Sequence, residues 1–119
     1  MRHYLIISTL LLLIVSCNNE AKNEQQIPFE KMKVVVWQLL KADELYSRKS
    51  VTDSSWRASK KNVQFYQQIF ELNKIDRIQF YKQMIHLESH PVEFKVLMDS
   101  VEQLSKREKN KSIPTSKKL

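Results

Sequence analysis

The sequence predicts an all-α protein, a compact bundle of about four helices behind a cleaved lipoprotein signal peptide. Three observations predict it. The 119 residues contain no glycine, and the tightest hairpin turns draw on glycine at positive φ, so an all-β fold is disfavoured. Apolar residues recur every three or four positions, the period of a helix with one covered face. An apolar run near the start ends in the sole cysteine.

That run, Leu5 to Val15, is broken only by Ser8 and Thr9 and follows Arg2 and His3. A spanning helix needs about 20 apolar residues, so residues 1–16 read as a secretory signal peptide and stand outside the fold. Ile14-Val15-Ser16-Cys17 fits the bacterial lipobox. A lone cysteine cannot close an intrachain disulfide, and Cys17 is expected to carry the lipid, a diacylglycerol with a further acyl chain such as palmitate. Each buried methylene adds about 0.8 kcal/mol, so two or three chains make a permanent anchor. Asn18, where an Asp would oppose it, favours sorting to the outer membrane. Residues 17–27 form a polar tether whose root-mean-square reach is about 17 Å. The folded body is therefore expected close to the lipid, on the periplasmic side.

The helical domain is expected over residues 28–105. Pro28 is suited to a helix start, where its missing N–H costs nothing. The first helix runs to about Tyr46. Phe29, Met32, Val36, Leu39, Leu40 and Asp43 share one side of it, and Val35, Trp37 and Tyr46 widen that side past half the circumference. Such a helix needs several neighbours to cover it. The polar stretch Ser47–Ser55 reads as a loop ending in N-cap residues. A second helix follows from Trp56 to Asn73, with Val63, Tyr66, Ile69 and Phe70 as its stripe. A third begins at Asp76 and stops before Pro91, since the residue ahead of a proline is pushed out of the α region. Ile78, Tyr81 and Ile85 form one face of it, with Phe80, Met84 and Leu87 beside them. Pro91 opens a fourth, with Phe94, Leu97, Val101 and Leu104 as its apolar row. Short connections make these neighbours antiparallel or steeply crossing.

Residues 106–119 read as a basic disordered tail. Lys106, Arg107, Lys109, Lys111, Lys117 and Lys118 stand there against Glu108 alone, and account for most of the formal charge of +7. The tail lacks interleaved aromatics and the chain is read as exported, so nucleic acid is not an expected partner. A weak contact with anionic lipid is physically easier.

Two blocks resemble a known family: Val36-Trp37-Gln38-Leu39-Leu40-Lys41-Ala42-Asp43-Glu44-Leu45, and the run from Tyr66-Gln67-Gln68-Ile69-Phe70 through Asn73-Lys74-Ile75, Phe80 and His90-Pro91 to Met98-Asp99-Ser100. They are similar to the small Bacteroidota lipoproteins grouped as domain of unknown function 4296. The sequence departs from that pattern at Gln38, where Asp is usual, and at Asn73, where His is common. The resemblance spans about Ile27 to Gln103 and implies a helical envelope lipoprotein. It brings no catalytic residue with it.

No catalytic constellation is legible. There is no glycine for a phosphate loop, and the one cysteine is assigned to the lipid. His86 and His90 stand at i, i+4 but lack a third ligand or a His-Glu-x-x-His pattern, so no metal or other cofactor is expected. Asp43, on the apolar side of the first helix, must be paired or hydrogen-bonded there. Arg57 and Arg77 are candidate partners, and a cleft with His86 or Glu71 is the functional alternative. Trp37, Lys41 and Glu44 lie on one flank, where tryptophan suits an interface hot spot. The expected function is that of a non-enzymatic, lipid-anchored envelope module binding a protein partner through Trp37, Lys41, Asp43 and Glu44. The alternative is a small ligand-binding protein or enzyme with a cleft at Asp43.

Overall fold

The computed structural model describes residues 26–112. The signal peptide, Cys17 with its tether up to residue 25, and residues 113–119 lie outside the described residues. Within them the chain forms five helices and no strand: α1 (Phe29–Thr52), α2 (Ser55–Ala58), α3 (Lys61–Asn73), α4 (Arg77–Glu88) and α5 (Pro91–Ser112).

The helix α1 has 24 residues and outlasts its expected end at Tyr46. Serine and threonine do not stop it, because Ser50 Oγ and Thr52 Oγ1 donate to the carbonyls of Ser47 and Lys49 at 3.2 and 3.1 Å. The expected Ser47–Ser55 loop thus shrinks to Asp53 and Ser54. The Asp53 carboxylate accepts the Ser55 N–H at 2.9 Å and starts the single turn of α2. The second expected helix is split, because Lys60 sits in the left-handed region at φ 50°. Lys74, at φ 52°, ends α3 in the same conformation, its N–H and that of Ile75 closing on Glu71 and Phe70 at 3.0 Å. Glycine usually fills such a helix-ending position; here lysines do, at a cost of about 1 kcal/mol each. Asp76 caps α4 as the sequence predicts, its carboxylate accepting the Gln79 N–H at 2.8 Å.

The largest departure is α5. It has 22 residues and carries Lys106–Ser112, half of the expected disordered tail, as helix. Glu102 and Lys106 pair at 2.6 Å across one turn, and Glu108 is tied to α1. Lysine, arginine and glutamate are good helix formers. Without an apolar row these turns give no sequence signal of order.

The core is Ile27, Met32, Val35, Val36, Phe70, Phe80, Leu97 and Val101. Val35 and Leu97 are fully buried, Met32 nearly so. The α3 helix runs antiparallel to α1, since Tyr66 meets Asp43 and Asn73 meets Gln38. On the other side α5 runs parallel to α1: Glu93 shares a hollow with Phe29 and Met32, and Glu108 reaches Trp37 and Lys41. The α4 helix packs on the residues ahead of α1. Its Gln83 amide clips the main chain of Ile27, accepting the N–H at 2.9 Å and donating to the carbonyl at 3.0 Å. Of the two apolar stripes on α4, Phe80, Met84 and Leu87 turn inward. Ile78 and Ile85 are left 73% and 67% exposed.

Leu97→Ala removes a fully buried side chain from the α1–α5 contact and is expected to cost about 3 kcal/mol, most of which is cavity and transfer energy. Urea unfolding followed by helical circular dichroism checks this. A loss below about 1 kcal/mol would mean that α5 is not part of the core.

Candidate functional site

Two places bring polar and aromatic groups together. The first is the flank of α1 that the sequence singled out. The Trp37 indole N–H donates to the Glu108 carboxylate at 2.8 Å, and the Lys41 ammonium reaches the same oxygen at 3.0 Å. Lys41 also lies 5.2 Å from the centroid of the Trp37 ring, within cation–π range. The indole and ammonium hold the Glu108 carboxyl below the usual carboxylate range, with the indole hydrogen bond the larger cause. The structure thus joins Trp37 and Lys41, and joins neither to Asp43. Glu44 pairs along the helix with Arg48 at 3.2 Å. Glu108 is the member that sequence reading missed, because its segment had no apolar pattern to mark it as packed.

Asp43 faces the other way, toward α3. Its carboxylate is exposed and accepts a hydrogen bond from the Tyr66 hydroxyl. That hydroxyl, and not Arg57 or Arg77, is its partner. Neither His86 nor Glu71 meets it. Burial, and after it the Asp43 carboxylate, pushes the Tyr66 phenol far above its ordinary range.

Tyr66 opens the second place. A groove of about 560 Å³ runs along α3 from Asn62 to the Lys74–Asp76 turn and is closed on one side by Arg77 and Tyr81 of α4. Such a volume lies within the range of ligand sites, about 300–1,000 Å³. Val63, Tyr66, Phe70 and Tyr81 supply its apolar lining. Behind it Phe70, Phe80 and Tyr81 form a ring cluster, with centroids 5.2, 6.0 and 5.6 Å apart. The rim alternates in sign, with Glu71 and Asp76 against Lys74 and Arg77. No sequence signal pointed here: the stripe residues of α3 and α4 all read as core.

At the far side of α4, His86 and His90 do come together, with ring centroids 4.2 Å apart. The contact is a turn: His90 Nδ1 donates to the His86 carbonyl at 2.7 Å. Among the described residues no group of three or more His, Cys, Asp or Glu side chains is disposed to hold a metal ion. Nor is any helix among them long and apolar enough to cross a membrane.

A family model described as Domain of unknown function (DUF4296) matches residues 24–111, which include all but the last residue of the five helices. No curated protein and no solved structure matches the chain. The two positions at which the sequence departs from the pattern it resembles touch one another. The Asn73 side-chain amide donates to Gln38 Oε1 at 2.6 Å and to the Ile69 carbonyl at 2.7 Å. This neutral pair joins α1 to α3.

Two titrations check these contacts. The folded pKa of Glu108 is depressed, so its contribution is present above the unfolded value and is lost as pH falls through the folded one. Trp37 emission is expected to shift in acid below the ordinary carboxylate range, and Glu108→Gln to remove that transition. Tyr66 is raised, chiefly by burial, so it is expected to stay protonated well above the ordinary range of a phenol. Asp43→Asn should move its phenolate absorbance to lower pH without restoring an ordinary value; no change in the variant would mean that the hydrogen bond is not formed.

Proposed function

The chain belongs to the DUF4296 family, and on that premise we propose that it is a lipid-anchored helical module of the cell envelope, without enzymatic activity, that binds a protein partner. Cys17 carries the lipid, the outer membrane is the anchor site, and the domain faces the periplasm. The lipobox supports the anchor. One observation carries the binding role: the α3–α4 groove, with an aromatic floor and a rim of both signs.

Its chemistry suits a polypeptide. Apolar anchors of a partner would fill the space over Phe70 and Tyr81, where aromatic hot spots concentrate binding energy. The mixed rim of Glu71, Lys74, Asp76 and Arg77 offers both donors and acceptors to a main chain or to charged side chains. This moves the partner site from the Trp37 flank, whose tryptophan is engaged by Glu108, to the opposite side of α1. A second reading rests on Tyr66, which lines the groove with its hydroxyl held by Asp43: a small ligand with an apolar body would occupy the same space.

The anchor and the groove are tested separately. Labelled palmitate is expected to enter the protein in cells and to be absent from Cys17→Ala; label in that variant would end the anchor proposal. A photoreactive benzophenone amino acid in place of Val63, and separately of Tyr81, is expected to give the same protein adduct in the native envelope. A control at Lys49, near the end of α1, should not give it, and Val63→Glu should abolish the adduct formed from position 81. A small added mass on the gently extracted protein, with no adduct, would favour the ligand reading instead.

A further inference from the structure

The outer crest of α4 remains unexplained by the groove. On the wheel, Phe80, Met84 and Leu87 point to the core, and Ile78, Lys82 and Ile85 stand opposite them. The two isoleucines lie two turns apart, about 10 Å, and are among the most exposed large apolar residues described, at 73% and 67%. They do not line the groove, which takes Arg77 and Tyr81 from the adjacent flank. The other flank is where the chain comes in. Gln26 lies in a hollow with Gln79, Lys82, Gln83 and His86, and the Gln83 amide clips Ile27 to α4 through both main-chain groups. The tether to Cys17 therefore leaves the domain beside this crest.

Charge gathers at the same end. Lys31 and Lys74 share a hollow with Gln26, Pro28 and Gln79, and Lys82 flanks Gln26 on the other side. Asp76 is also here, but its carboxylate caps α4. Glu93 borders the hollow at Ile27.

We propose that the crest of α4, through Ile78 and Ile85, docks onto the headgroup region of the bilayer that holds the lipid anchor, with Lys31 and Lys74 facing its phosphates. This rests on the lipid-anchored reading above. A tether reaching only about 17 Å keeps the domain at the surface. An apolar face bordered by lysines suits the boundary between headgroups and acyl chains. Each lysine near an anionic surface adds to the attraction, and the amount falls with salt. Docked so, the groove opens sideways along the membrane, and its partner must reach it there.

The test uses the protein expressed with its signal peptide, acylated, and reconstituted in vesicles of phosphatidylethanolamine and phosphatidylglycerol. A benzophenone amino acid in place of Ile78 or Ile85 is expected to form lipid adducts. The same group in place of Lys49 or Lys109 is expected to form none. With the probe at position 85, Ile78→Glu should lose most of the adduct while circular dichroism remains that of the folded domain. Adducts of equal yield at all four positions, or none at 78 and 85, would overturn the proposal. So would protein rather than lipid adducts at 78 and 85 in the native envelope. Coupling Cys17 of the mature chain to a maleimide lipid anchors it whatever the cell does. Missing adducts in that arm count against docking, whereas missing palmitate in cells counts against the natural anchor alone.

Discussion

The structure depends on α1 being apolar on two sides. Val35 and Val36 are both buried yet point about 100° apart, and one neighbour cannot cover both, since a second helix shields only a stripe of the first. The bundle meets this with α3 antiparallel on one side and α5 parallel on the other. A short turn delivers the antiparallel neighbour but not the parallel one, because the chain must first travel back to the start of α1. The α3 helix makes that return, ending at Lys74 beside Gln26 and Pro28, and α4 then carries the chain across the start of α1 to the α5 side. The position of α4 against Gln26 and Ile27, and the outward turn of its crest, follow from α1 needing α5.

Gln83 shows how a polar residue fixes such an arrangement. The residues ahead of α1 have no helical partners for their main chain, and an unpaired N–H or carbonyl in a half-buried place costs about 1–3 kcal/mol. One amide side chain supplies a donor and an acceptor together and satisfies both groups of Ile27. Glutamine matches an extended main chain in this way as no carboxylate would.

Much of the fold is legible in the sequence. The start at Asp76 and the break before Pro91 each rest on a local rule of backbone chemistry, and the structure has both; α3 also ends at Asn73, but with Lys74 as its left-handed cap. What failed had no local rule. Lys60 and Lys74 adopt left-handed backbone without the glycine or asparagine that would advertise it. Ser47–Thr52 is helical, with Ser50 and Thr52 turning their hydroxyls onto carbonyls of the same helix, and the residue types alone do not announce that. On α4 two apolar stripes overlap, and the sequence does not say whether Ile78 or Phe80 turns inward. That choice, which leaves the crest exposed, belongs to Phe70 on another helix. Asp43 reads as a carboxylate on the apolar side that must be paired, yet it is exposed, and the group that meets it is a tyrosine of α3. The groove was illegible because its lining residues read equally well as core.

The length of α5 has one more consequence. Twenty-two residues of helix extend about 33 Å. The first turns lie near Gln26, and the last are strapped to α1 by Glu108. The places where the chain enters and leaves the domain are therefore held at opposite ends of a strut roughly 3 nm long. Gln26 and Ser112, the first and last described residues, are kept apart by about that length. That separation holds only while the two long helices stay locked side by side, as Trp37, Lys41 and Glu108 hold them.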